Sequence, residues 1–327
     1  MNCDDTRTEA IKMALVKVQN VAYRAYDRLD TLHDLLNVAQ VQLSNFDYLE
    51  WSTFNTFETF YGQMLVDTTR TNGGVITETL NYLDEIRDFL GNIVLAAQNV
   101  NADQYHDTLS LDIWCDSAWE TTTDNNGRYY DGPTDVMVYW DGSGNNMGWI
   151  DPPEDATTPA DLILCTNSPL DLGGYTINHD TEPVSVITIC GDALDDMISN
   201  GMTLTSLGAG DIKDGTDLSD EVEKIPSFLL LHELSHAVSV MGRGSNTIDV
   251  KFQNPTEEGV LNAYGLENCI LLAVNRPDLT IENADTLALL AAALYLQQKT
   301  WWTGEAEDLS YRASPSIQFL PPGAAAP

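Results

Sequence analysis

One short segment limits the possible folds of this chain more than any other. Within residues 226–242, which open with a proline and end in a glycine, an apolar run leads into His232-Glu233-Leu-Ser-His236. This pattern predicts a helix, on which His232 and His236 lie one turn apart on the same face. Their imidazole nitrogens can then bind one divalent metal ion, and Glu233 can act as a general base toward water. A carboxylate inside an apolar helix is costly to bury without such a task.

A catalytic zinc site needs a third protein ligand and one open position. No histidine follows His236 in the sequence, so the ligand must be an aspartate, a glutamate or a cysteine. The candidates are Asp249, Glu257, Glu258 and Cys269. The two glutamates have the spacing of a gluzincin-like site, in which the third ligand lies on a second helix. The residues alone leave this choice open.

The rest of the chain divides into helical and β-prone parts. Apolar residues at helical spacing predict one helix over residues 5–45 and another over Val75–Val100. Residues 101–221 are rich in Gly, Asn, Asp, Thr and Pro, and short β-prone runs predict a small sheet with acidic loops. These runs are Leu109–Cys115, Val136–Trp140, Leu162–Cys165 and Val184–Cys190. Helical patterns return over 225–300, with helices at about 258–275 and 284–298. The pattern as a whole predicts an α+β fold.

The charge balance excludes several classes of partner. The chain has 15 Lys and Arg residues against 50 Asp and Glu residues, for a formal charge of −35. Phosphates would be repelled, which argues against nucleic acid and against anionic membrane surfaces. The same surface favours basic partners. No apolar run reaches the roughly 18 residues that a membrane-spanning helix needs.

The cysteines indicate an oxidising compartment. Five cysteines are spread widely without a CxxC pair, which favours one or two disulfides and leaves at least one thiol unpaired. We therefore expect a secreted, extracellular protein whose signal segment is not part of this sequence. We also expect a monomer.

Several motifs over 225–300 resemble one family of zinc endopeptidases, the deuterolysin-type aspzincins of fungi and bacteria. The likeness rests on the HELSH motif at 232–236, on Ala263-Tyr264-Gly265, and on Asn283-Ala284-Asp285, which is similar to the start of the family's NADxYA helix. It is fainter over about 50–200 and does not include the first 45 residues.

The resemblance implies a zincin-like fold and a site for Zn²⁺ on His232, His236 and Asp249. It further implies Glu233 as the general base and Tyr264 as the donor that stabilises the oxyanion of the tetrahedral intermediate. On these grounds we expect an N-terminal helical segment over 1–45, a catalytic domain over 46–304 and a disordered, low-complexity tail over 305–327.

The chain departs from the family pattern at two positions. The GTxDxxYG stretch would place its aspartate at Leu261, so Asp249 has to serve across a longer loop. Asp285 matches an aspartate that helps to line an acidic substrate pocket in lysine-specific members, which makes it a candidate substrate-binding residue here. The second acid of that pocket is Ala288 in this chain, so strict lysine specificity does not follow.

The sequence thus predicts a secreted zinc endopeptidase that cleaves protein or peptide substrates, including basic ones. Three alternatives remain. One is a gluzincin-like peptidase that uses Glu257 or Glu258 as its third ligand. Another is a catalytically silent, zincin-shaped binding protein. The last is a zymogen in which the helix over 5–45 covers the cleft.

Overall fold

The described part of this protein combines long helices with a short three-stranded sheet. The computed structural model describes residues 3–38, 46–62, 77–101, 110–116, 120–121, 139–140, 165, 173–178, 184–210, 212–255 and 259–309. The helices are α1 (Asp5–Leu36), α2 (Tyr48–Tyr61), α3 (Thr77–Asn101), α4 (Gly191–Asn200), α5 (Leu204–Ala209), α6 (Leu218–Val222), α7 (Pro226–His236), α8 (Val238–Met241), α9 (Gly265–Asn275), α10 (Pro277–Thr280) and α11 (Ala284–Tyr295). The strands are β1 (Ser110–Trp114), β2 (Glu120–Thr121), β3 (Tyr139–Trp140), β4 (Gly174–Asn178), β5 (Val184–Ile189), β6 (Lys251–Gln253), β7 (Val260–Asn262), β8 (Lys299–Thr300) and β9 (Glu307–Asp308). The described part of the chain therefore has the mixed helical and small-sheet composition that the sequence predicted.

The first helix, α1, is part of the main hydrophobic core. Asp4 caps its first turn by accepting a hydrogen bond from the Arg7 backbone N–H. Its apolar residues recur at helical spacing and are buried against α3, α7 and α11. The helix was predicted to reach residue 45 but ends at Leu36, where the Asn37 N–H turns back to the His33 carbonyl. Residues 39–45 lie outside the described residues.

The second helix, α2, was missed by the sequence analysis, although it begins with a complete capping box. The Asp47 side chain accepts from the Glu50 N–H, and the Glu50 carboxylate accepts from the Asp47 N–H. The helix is buried on most sides, so its apolar residues show no single stripe. The predicted helix over Val75–Val100 corresponds to α3.

The sheet carries the strand that meets the HELSH helix. Its order is β1-β5-β4, with β1 parallel and β4 antiparallel to β5. The runs Leu109–Cys115 and Val184–Cys190 are confirmed as β1 and β5. Of the run Val136–Trp140, only β3 is described, where it pairs with β2. Of Leu162–Cys165, only Cys165 lies within the described residues.

The HELSH helix is shorter than predicted. The sequence indicated one helix up to Gly242, but α7 ends at His236 because Ala237 is extended, with φ −73° and ψ 114°. The Asn178 side chain of β4 fastens both sides of this break. Its Nδ2 donates to the His236 carbonyl at 2.8 Å, and its Oδ1 accepts from the Val238 N–H at 2.9 Å.

Two boundaries in the C-terminal part also differ from the expectation. The helix predicted from 258 begins only at Gly265, because residues 260–262 pair as β7 with β6. The tail was expected to start at 305, but β9 pairs with β8 and Ala306 between them is fully buried. Residues 310–327 lie outside the described residues.

Two disulfides, Cys3–Cys115 and Cys165–Cys190, are formed, and Cys269 is a free, buried thiol. Two disulfides fit an extracellular protein. None of the described helices is long and apolar enough to cross a membrane.

Because α1 is part of the core, a mutation of its buried residues should destabilise the protein. A helix that only covered the cleft, as in the zymogen alternative, would not show this effect. We expect Leu15→Ala, at a fully buried position, to lower the free energy of unfolding by about 2–5 kcal/mol in urea denaturation. Met13→Ala on the exposed side of α1 should stay within about 0.5 kcal/mol of the parent protein. A Leu15→Ala protein of unchanged stability and increased activity would instead support the zymogen alternative.

Candidate metal centre

Three side chains bring one ligand atom each to the same place. His232 Nε2 lies 3.1 Å from His236 Nε2, and Asp249 Oδ1 lies 3.4 Å and 3.3 Å from these two nitrogens. Both histidines come from the last turn of α7, and Asp249 comes from the loop before β6. Among the described residues, this is the only group of three or more His, Cys, Asp or Glu side chains with that arrangement.

The other ring nitrogen of each histidine determines what these Nε2 atoms can do. His232 Nδ1 lies 2.9 Å from Asp285 Oδ1, and His236 Nδ1 lies 3.0 Å from the Thr247 carbonyl oxygen. A carbonyl and a carboxylate oxygen can only accept, so both Nδ1 atoms carry hydrogen. A neutral ring then presents a lone pair at Nε2. Two nitrogen lone pairs and a carboxylate oxygen thus face one another, which is stable only with a proton or a cation between them.

The spacing of these atoms fits zinc. Zn²⁺ binds His and Asp at about 2.0–2.1 Å in tetrahedral geometry, which places neighbouring ligand atoms roughly 3.3–3.4 Å apart. The separations of 3.1, 3.3 and 3.4 Å match this value closely. Three protein ligands also leave one position open for water or substrate, as in catalytic rather than structural zinc sites.

Burial and charged neighbours shift the pKa values of several groups around the site. Burial lowers the pKa of His232, but the hydrogen bonds that its ring donates to Asp249 and Asp285 outweigh this and hold that pKa well above its ordinary value. Burial raises the pKa of Asp249. The hydrogen bonds and charges of His232 and His236 outweigh this effect and bring that pKa below the usual range. Burial, followed by the negative charge of Asp285, raises the pKa of the neighbouring Glu223 to about 7.

The loop that carries Asp249 is fixed to α7 through Thr247. The Thr247 N–H donates to the Ser235 carbonyl at 2.9 Å, and its own carbonyl accepts from His236. Its hydroxyl lies 2.6 Å from the Ser235 hydroxyl. Because Thr247 is held on the helix, the chain needs only two more residues to place Asp249 beside both histidines.

The same loop is held from its other side by Asn283, which is almost completely buried at the start of α11. Its Oδ1 accepts from the Val250 N–H at 3.1 Å, and its Nδ2 donates to the Ala263 carbonyl at 3.0 Å. Ile248 forms a parallel bridge with Asn283 along the backbone. The two neighbours of Asp249 in the chain, Ile248 and Val250, are therefore both hydrogen-bonded to the start of α11.

Asp285 contacts the candidate metal ligand His232 and the start of α9. Its side chain is 9% exposed and both of its oxygens have protein partners. Oδ1 accepts from His232 Nδ1, and Oδ2 accepts from the Gly265 N–H at 2.6 Å. Such carboxylate–histidine pairs orient metal ligands in many zinc sites. These contacts support a role in holding His232, while the predicted substrate-binding role stays a prediction.

Glu233 is buried next to the ligands and contacts β4. Its Oε2 lies 2.7 Å from the Thr176 hydroxyl. Its Oε1 faces Gly174, where an added Cβ would lie 3.4 Å away. Burial raises the pKa of the carboxyl, while His232 and His236 act in the opposite direction. A buried carboxyl with one hydrogen-bonded oxygen is well suited to proton transfer.

Tyr264 lies at the open side of the site and is 42% exposed. Its ring centroid is 6.3 Å from that of His232. Burial, followed by the charge of Asp249, raises the pKa of the Tyr264 hydroxyl. The hydroxyl therefore keeps its proton and can act as a hydrogen-bond donor.

The structure thus brings four of the predicted residues into contact with one another: His232, His236, Asp249 and Asp285. The Tyr264 ring lies beside His232, and Glu233 is buried on the same helix as the two histidines. The alternative ligands Glu257 and Glu258 lie outside the described residues. Cys269 is buried away from the group, with its Sγ 3.3 Å from the Ala263 carbonyl, and burial raises the pKa of its thiol. Thr176 was missed, since no local pattern marks it, and the sequence did not predict that Thr247 and Asn283 hold the loop of Asp249.

Comparison with known proteins gives one distant likeness. The chain matches no family model and no curated protein sequence. Among solved structures it is similar to a zinc peptidase from Grifola frondosa, with 12% identity, coverage of 89% of this chain and 96% of that chain, and a TM-score of 0.38. A likeness this weak supports no statement about function, which depends here on the geometry of the site.

The third ligand can be tested against its alternatives. We expect Asp249→Ala to weaken zinc binding by more than about 100-fold, since loss of even a partner of a ligand costs about 10–100-fold. Glu257→Gln and Glu258→Gln should bind zinc like the parent protein. Competition with a chelator of known affinity measures all three. Loss of zinc in a glutamate variant, with binding retained in Asp249→Ala, would establish the gluzincin-like arrangement.

The role of Asp285 gives a separate prediction. Asp285→Asn keeps the shape of the side chain, but its amide N–H group would face either His232 Nδ1 or the Gly265 N–H, which are both donors. Because His232 would then be held less well, we expect zinc affinity to fall by about 10–100-fold. Asp278→Asn, on an exposed aspartate paired with Arg276, is the matched control and should have no effect. Unchanged zinc affinity together with altered cleavage at basic residues would place Asp285 in a substrate pocket instead.

Proposed function

We propose that this protein is a zinc-dependent endopeptidase. The observation that carries the proposal is the meeting of His232 Nε2, His236 Nε2 and Asp249 Oδ1 at tetrahedral spacing beside the buried carboxyl of Glu233. The three ligand atoms would hold the metal. Zinc bound there supplies Lewis acidity, which polarises a peptide carbonyl and makes water a nucleophile at neutral pH.

Glu233 is the residue that would move the proton. Its Oε2 is held by Thr176, so Oε1 would accept a proton from the attacking water. The same carboxyl would then give this proton to the nitrogen of the leaving amine. Burial favours the neutral form of Glu233, which helps the carboxyl to hold the proton between these two steps.

Tyr264 would stabilise the negative charge that develops on the carbonyl oxygen. Its hydroxyl keeps its proton and lies at the exposed side of the site. A hydrogen bond from such a donor is stronger in the transition state than in the ground state, as catalysis requires.

An extended peptide is the substrate that this site fits best. β4 runs beside α7 and, among the described strands, pairs with β5 alone. Its other edge can bind a substrate backbone as an added strand, which would lead the peptide past Glu233. The charge of −35 favours basic substrates, and the two disulfides favour an extracellular place of action.

The proposal is tested by measuring zinc content and casein cleavage together. We expect about one zinc per chain in the parent protein and in Glu233→Gln, and a loss of about 10²–10⁴-fold in cleavage for the variant alone. Glu9→Gln, on the exposed side of α1, is the matched control and should cleave casein at the parent rate.

Two results would contradict the proposal in different ways. A chain that takes up no zinc when zinc is supplied would disprove the metal site. A chain that binds zinc but cleaves neither casein nor other protein substrates would support the silent, zincin-shaped binding protein.

A further inference from the structure

The hydroxyl of Thr176 makes two contacts with one residue of α7. Its Oγ1 lies 2.7 Å from Glu233 Oε2 and 2.9 Å from the Glu233 backbone carbonyl oxygen. The two residues are far apart in sequence and meet because β4 packs against α7. Thr176 is thus the one described side chain for which a hydrogen bond to the Glu233 carboxyl is found.

The contact to the backbone has a structural reason. In a continuing helix the Glu233 carbonyl would accept from the Ala237 N–H, but α7 ends here and that N–H turns to the Leu234 carbonyl instead. The Thr176 hydroxyl replaces the missing donor. One hydroxyl therefore secures both the end of the helix and the side chain that faces the metal centre.

The contact to the carboxyl fixes which oxygen is available. Thr176 engages Oε2, whereas Oε1 faces Gly174, two residues earlier on the same face of β4. A Cβ at Gly174 would come within 2.9 Å of the Thr188 carbonyl, so this position stays without a side chain. The strand thus holds one oxygen of Glu233 through Thr176, while the other oxygen faces a residue without a side chain.

A hydroxyl also suits both forms of its neighbour. When the Glu233 carboxyl is ionised, Thr176 can donate to Oε2. When the carboxyl carries a proton on Oε2, that O–H can donate to Thr176 Oγ1, and Thr176 then donates to the backbone carbonyl. The branched Cβ of threonine restricts its side-chain rotation, which keeps Oγ1 in place in both cases.

We propose that Thr176 is the positioning residue of Glu233: it holds the carboxyl by Oε2 so that Oε1 is aimed at the reacting water. This inference rests on the proposed peptidase function. It predicts that loss of the hydroxyl misplaces the general base without removing the metal or the substrate-binding surface. The effect should therefore fall on kcat and not on KM.

The test compares variants with and without the hydroxyl. Thr176→Val keeps the shape of the side chain and should lower kcat by about 10–100-fold, the size of effect that a small misplacement causes. KM, zinc content and the thermal midpoint should stay close to those of the parent protein. Thr176→Ser restores the hydroxyl and should recover most of kcat. Thr300→Val, the same change at a buried threonine of β8, is the matched control.

The outcomes separate this inference from the function on which it rests. A parent protein that cleaves casein while Thr176→Val has the parent kcat overturns the positioning role alone. Zinc loss or unfolding in both Thr176→Val and the smaller Thr176→Ala also overturns it, because the role would then be structural. Absence of cleavage by the zinc-loaded parent protein overturns the proposed function and this inference together.

Discussion

Two imidazole rings meet at their Nε2 atoms in this structure because their Nδ1 atoms are already engaged. The Asp285 carboxylate and the Thr247 carbonyl are both acceptors, so the hydrogen of each ring is held on the far side from the partner ring. Asp249 adds an oxygen to the same point. Without a cation or a proton, three electron pairs would repel one another in a mostly buried place. The surrounding loops and helix ends are arranged so that these three atoms cannot easily move apart.

That arrangement depends on the early end of α7. Because the helix stops at His236, its last carbonyls are left for side chains of β4, and Thr176 and Asn178 take them. The extended conformation of Ala237 then turns the chain away, so that the loop around Thr247 can return along the last turn. A helix that continued to Gly242 would instead pair these carbonyls with its own backbone N–H groups. The break is thus part of the site.

Sequence reasoning found those parts of the site that have a local signal. His232, Glu233 and His236 follow from helical spacing alone, and α1, α3 and β5 follow from their apolar periodicity. Asp249 could be named only among several candidates, since a ligand delivered by a loop has no spacing rule. Thr176 shows no pattern at all, and Asn283 is part of a motif that does not reveal its role, because both roles arise from contacts with residues far away in the chain.

The interpretation of Asp285 shows how a motif can be found while its role changes with context. In the sequence, the resemblance makes Asp285 a candidate for a pocket that binds basic side chains. In the structure, Asp285 bridges His232 and the start of α9. Because Ala288 offers no second acid, a pocket at this place would lack the charge to select lysine, whereas the contact with His232 already uses the carboxylate in full. The observed contact therefore supports a role for Asp285 in orienting His232, while its substrate-binding role stays a prediction. The negative charge of the whole surface is a separate ground for expecting basic substrates.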